Sequence, residues 1–423
     1  MKNIITASGG TAPRSKSLWG WLLAALFTTL TVAACGGGGS VDPGTGGTGS
    51  FSRGAITGFG SIIVNGVRHD DSGASVSDED DEDSPGRGKD ELKLGMVVTV
   101  TGTAGTGTGT ATAQVITFGS ELKGPVRSVN GSTTNTGSAT GTPTAVTGTQ
   151  TLVILGQTVI IGTRTVFDPL SLPGGFADIM VGDILEVHGH LDPAANTLMA
   201  TRINLEGNAN HYKITGSVNG LVTTTKSFKI GSETISYATV PADKLRVDLK
   251  DGITVKVRLS TSQLVTGTWD ATRIKPAAKK AENKNRAEVE GIITEFTSTS
   301  KFSVGGIPVD ASNARFDKGT AGIELGARVE VKGAIVDGVL IASRVKLEDD
   351  DDEDNQNELH GVVSKFDAAA KTFELRGIKV TYTASTQFED GSLSMLKDGA
   401  KVEVKGAPAP SGGVLAAKIE FED

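Results

Sequence analysis

The sequence predicts an all-β protein: five tandem small modules, each an antiparallel five-stranded β-barrel, behind a signal peptide and a flexible tether. Three observations predict it. An alternating strand bounded by glycines occurs five times. Its neighbours recur in the same order each time, at a spacing that leaves no room for helices. Gly supplies 56 of 423 residues and aromatics only 5%, which suits short strands and turns better than one large aromatic core.

The N-terminus carries Lys2, Arg14 and Lys16 and no acid, followed by an apolar run from Leu18 to Ala34. A basic region, an apolar stretch and small residues form the pattern of a secretory signal peptide. The run is shorter than the ~20 residues that cross a bilayer comfortably. Val32-Ala33-Ala34-Cys35 resembles the lipobox of bacterial lipoproteins. The resemblance implies cleavage before Cys35, a covalent lipid on its thiol and acylation, palmitate included, of the new amine. Two or three acyl chains anchor a protein stably. Gly36 is not the Asp that retains such lipoproteins in the inner membrane, so the implied address is the outer membrane of a bacterial envelope. Cys35 is the only Cys, so no disulfide forms within the chain. Residues 35–50 read as a Gly-rich tether. Loss of residues 1–34 takes three positive charges away and moves the net charge from −8 to −11.

The five alternating strands start at Gly95, Gly182, Gly252, Gly326 and Gly399, with apolar pairs Val98/Val100, Leu185/Val187, Val255/Val257, Val329/Val331 and Val402/Val404. Period-two alternation marks half-buried strands. A second glycine closes each copy except the third, where Leu259 stands. Upstream lies a Gly with apolar residues two and five places later, at Gly54, Gly124, Gly216, Gly291 and Gly361. Between them comes a hairpin arm such as Phe302-x-Val304 or Phe373-x-Leu375. Downstream is an apolar-x-Ala-x-x-Ile/Val arm, as in Leu340, Ala342 and Val345. The modules are expected at 53–121, 122–208, 212–278, 287–348 and 357–423. Closure into barrels is expected because it removes strand edges.

These four elements resemble the DUF5666 family, small β domains found in tandem in bacterial lipoproteins and secreted proteins. The barrel is also similar to OB-type folds. The family resemblance implies no particular activity.

No GxSxG elbow and no GxxxxGK[ST] loop exists. The negative charge and the few aromatics disfavour nucleic acid. His188 and His190 share one face of the second alternating strand, opposite Leu185 and Val187, and are expected to be exposed; they are the metal-ligand candidates, set against a plain polar row. A basic residue recurs in the last strand, Arg202, Arg273, Arg344 and Lys418, as a candidate ligand-contact stripe set against simple pairing with a neighbouring Glu. The acidic runs Asp78–Asp83 and Glu348–Asp354 are expected to stay solvated, with loose calcium capture as the alternative; EF-hand spacing is lacking. No other cofactor is expected. The reading that follows is a non-enzymatic, membrane-anchored envelope protein that extends repeated modules toward polysaccharide or another protein. Its alternatives are a spacer without a ligand, and a hydrolase using carboxylates such as Asp183 and Glu186.

Overall fold

The structure is a computed structural model that describes residues 49–422, apart from 81–85, 106–108, 135–145, 147, 266, 278–279 and 349–355. The signal peptide, Cys35 and most of the tether lie outside the described residues, as does nearly all of the second acidic run.

Strand pairing closes five rings of one topology. In the second, Leu122–Val129 pairs antiparallel with Gln150–Ile154 on one side and with Ile184–Asp192 on the other. Gln157–Phe167 continues from Gln150–Ile154 and runs parallel to Thr197–Glu206, which pairs antiparallel with Ile184–Asp192. The order around the ring is therefore first, second, third, fifth, fourth, the Greek-key order of an OB barrel. Rings one, four and five close the same way. In ring three the first strand is split into Tyr212–Ser217 and Asn219–Val222. The barrels are thus not wholly antiparallel as expected. The fourth strand crosses to the far side of the fifth, which leaves the third and fifth side by side and pointing the same way.

The repeated glycines have two jobs. Those that open the alternating strand, Gly95, Gly182, Gly252, Gly326 and Gly399, all have φ between 79° and 96°, a turn conformation that costs other residues strain. Those that close it, Gly102, Gly189, Gly333 and Gly406, sit at a bulge where an added Cβ would lie 1.9–2.1 Å from a carbonyl oxygen of the last strand. Leu259 replaces that glycine in ring three, and there the register slips more widely, from Leu259↔Ala271 to Gln263↔Trp269.

The alternating apolar residues fill the rings; Val100, Val187, Val257, Val331 and Val404 are wholly inaccessible. The rings themselves join through their first strands. Each is bent, pairing with the fourth strand along one half and the second along the other, so each half keeps one free edge. Ser50–Arg53 uses that edge to pair in parallel with Arg286–Val289 of ring four. Gly58–Phe59 pairs with Glu358–Leu359 of ring five, and Lys123 and Leu122 of ring two pair with Lys213 and Ile214 of ring three. Pairing hides edges that otherwise invite aggregation. Residues 43–423 form one compact unit, so the rings are not separate beads strung out from an anchor, as the extended-array reading expected.

Candidate functional site

Because the rings pack on one another, their outer faces become internal. Parity along the strand places His188 and His190 opposite Leu185 and Val187, as expected, but that face is covered: they are 2% and 6% exposed. Neither ring nitrogen of His188 has a hydrogen-bond partner, nor does Nε2 of His190. Burial pushes each imidazole down to about 4, partly opposed by Glu186 at His188 and by Glu290 at His190.

The basic residues of the last strands are each engaged, so they form no free stripe. Arg202, 4% exposed, is 2.7 Å from Asp168 and donates to the carbonyl oxygen of Leu94 in ring one at 3.2 Å. Arg344 holds Asp317 and Lys418 holds Glu389 and Glu420. Arg273 is buried in the cationic face of ring three.

The first acidic run departs most from expectation. Glu79 and Asp80 are half-buried; they project into a set of buried lysines on ring three. Asp80 is in contact with Lys213 and lies 3.8 Å from Lys275, while Glu79 is in contact with Lys256. Glu121, just before the first strand of ring two, reaches the same Lys256 at 3.2 Å. Burial would raise Glu79 and Asp80, but the lysines more than offset it and hold both below the usual carboxylate range. Burial likewise lowers Lys256, and Glu121 with Glu79 more than restores it. Burying unpaired ions would cost several kcal/mol each, so the two residues are fixed by the lysines they neutralise.

Beside this network a cavity of about 250 Å³ opens where rings one to four meet. Arg53, Glu121, His190, Thr254, Glu290 and Glu295 line it. Arg53 donates to Gly305 O at 3.3 Å. Glu295 accepts from Ser303 Oγ at 2.8 Å. Oε1 of Glu290 accepts from Arg328 at 2.7 and 3.0 Å and lies 3.7 Å from Nε2 of His190. Burial favours the neutral acid at Glu290, and Arg328 reverses that. Two further cavities adjoin. One of about 210 Å³ shares Arg53 and Glu121, and one of about 180 Å³ shares His190 and Glu290.

A second cluster, not singled out from sequence, joins rings one and five. Ligand atoms of Glu358, His360 and Glu403 come within 4.8 Å of one another, a metal-like grouping. Arg68 of ring one, however, lies against His360 and 2.7 Å from Glu358, and Lys405 sits 2.7 Å from Glu403. Two cations already balance these carboxylates, so the arrangement ties the rings together by charge. The Glu358 hydrogen bond raises the His360 pKa, against a smaller effect of burial. Asp183 and Glu186 do not converge: Asp183 accepts the Met180 N–H at 2.7 Å within its own turn, and Glu186 faces Lys123 and Asn204 across the strands.

Residues 140–204, 290–346 and 360–420 match the family model of DUF5666, described as a domain of unknown function. These three segments are matched in tandem by the one DUF5666 model. The matches fall on rings two, four and five; ring three, with its lost closing glycine, and ring one lie outside them. No curated protein and no solved structure matches the chain.

Proposed function

We propose that these DUF5666 domains serve a lipid-anchored, non-enzymatic protein of the bacterial cell envelope. Acyl chains on Cys35 hold it in the outer membrane, and the junction cavity binds a sugar unit of an envelope polysaccharide. One observation carries the binding reading: the buried His190 leaves Nε2 without a partner in a cavity of about 250 Å³. An unsatisfied buried polar atom costs about 1–3 kcal/mol unless something bonds to it. The space is slightly below the usual range of small-molecule pockets and suits a single sugar ring. Carboxylates, a guanidinium, an imidazole and Thr hydroxyls offer the mixed donors and acceptors that hydroxyl groups need. Glu290 is tied to Arg328 and Glu121 to Lys256, ionic partnerships that suit binding more than proton transfer. The anchor reading rests on Val32-Ala33-Ala34-Cys35.

Calorimetric titration of the full chain in detergent with glucose, mannose, heptose and N-acetylglucosamine tests the site. Binding of at least one sugar, lost in His190→Phe, is expected; silence across the panel sinks the reading. Cys35→Ala should release the chain from membranes and abolish labelling by radioactive palmitate.

A further inference from the structure

Ring three carries a face unlike those of its neighbours. Across its first, fourth and fifth strands two rows lie in register, Thr215–Lys256–Lys275 and Lys213–Arg258–Arg273. Five of the six positions are cationic, and like charges set directly opposite one another repel. The same positions are mixed in sign in rings four and five. Ring four has Glu290–Glu330–Lys346 and Glu288–Lys332–Arg344. Ring five has His360–Glu403–Glu420 and Glu358–Lys405–Lys418. Two reversals, Lys213 in place of Glu288 or Glu358 and Lys256 in place of Glu330 or Glu403, convert a self-neutralising face into one that requires anions from outside its own ring.

Those anions are at present side chains of other rings: Asp80 on Lys213, Glu79 on Lys256, and Glu121 on Lys256. The first two are neighbours in sequence and follow directly on the strand Ser75–Asp78, so withdrawing them dismantles no barrel strand. A space of about 20 Å³ remains among Asp80, His211, Lys213, Arg258, Arg273 and Lys275, room for a water-sized group.

We propose that this face is a binding site for a soluble oligoanion of the phosphoryl class, and that Glu79 and Asp80 are its built-in substitute. Two adjacent carboxylates stand where two linked phosphoryl groups would sit. Lysine ammoniums supply point charges for phosphate oxygens, and Arg258 and Arg273 supply forked donors. The ligand is a free anion and not a headgroup, because Lys213, Lys256 and Lys275 are buried beneath neighbouring rings, out of reach of a bilayer surface. The proposal stands apart from the sugar reading of the cavity and survives its failure.

The test is calorimetric titration of the full chain with pyrophosphate and with orthophosphate, at ionic strength matched with chloride. Glu79→Gln/Asp80→Asn should bind pyrophosphate at least ten times more tightly than the unaltered chain, and adding Lys213→Gln/Lys256→Gln should abolish the gain. A double variant that binds no tighter, or a gain indifferent to the lysines, overturns the proposal. If the double variant does not fold in chloride, the readout is its thermal melt: a cooperative transition restored by pyrophosphate supports the site, and none overturns it. A gain seen with phosphatidic acid vesicles but not with pyrophosphate also overturns it.

Discussion

Val255 and Val257 of ring three and Val402 and Val404 of ring five hold the same place in their barrels and are equally inaccessible to solvent. The residues between those pairs, Lys256 and Glu403, carry opposite charges. The contrast extends to the whole molecule. Ring interiors are near copies of one another, filled by the same apolar positions. The outer faces differ from copy to copy, because each meets a different neighbour. An interior has one task, to exclude water. A face that will be covered must match the charge of whatever covers it, so duplication preserves the first and sequence divergence individualises the second.

If interiors are interchangeable, equivalent deletions should cost the same. Phe228→Ala in ring three and Phe373→Ala in ring five, both almost fully buried, should each destabilise by ~3–5 kcal/mol. Urea unfolding checks this, and a difference above about 2 kcal/mol between them would break the comparison. On the covered faces, Arg328→Met takes from the buried Glu290 the partner that keeps it ionised, and should cost about 3 kcal/mol or slightly more by the same measurement.

Acid sharpens the contrast, because it acts on the covered face of ring two, and among the interiors on that of ring one, where His69 lies opposite Ile62. Burial holds His69, His188 and His190 at about 4, against an ordinary 6.5. The unfolded chain then binds more protons between those values. Stability is full above pH 6.5 and falls as the pH drops toward 4, by on the order of 1–3 kcal/mol per buried histidine. His360 has the opposite sign: its raised pKa gives stability that is present below pH 6.5 and lost as the pH rises through the folded value. Melting temperatures of the unaltered chain and of His188→Gln between pH 4 and pH 8 separate the two, since the acid loss should shrink in the variant. The smallest effect belongs to a face that nothing covers. Lys365→Ala, removing an exposed pair with Glu374, should shift stability by less than about 1 kcal/mol.

What could be read from the chain follows the same line. Glycine turns, the alternating Val-x-Val strands and the Phe-x-Val arms report on one ring's own geometry, and the all-β fold was legible from them. The parallel pairing of third and fifth strands was not, because strand order leaves no trace in a period-two pattern. His188 and His190 were placed on the correct side of their strand but given the wrong solvent, since no local signal says that one module will lie against another. The same ignorance made Glu79 and Asp80 look like a solvated run. One signal does lie in the sequence: aligning the polar positions of the five copies shows Lys213 and Lys256 where three other copies carry Glu, a reversal that calls for outside carboxylates. Cys35 remains a sequence inference, lying outside the described residues.

The pairing of Ser50–Arg53 with Arg286–Val289 carries a consequence for how such a chain matures. Arg53 donates a hydrogen bond to a residue 252 positions downstream, so the first barrel to emerge during synthesis waits for the fourth before its edge is sealed. Until then it presents bare backbone donors and acceptors to any passing strand. A truncation after ring three would make that waiting state permanent, and its characteristic fault would be clumping of the nascent protein.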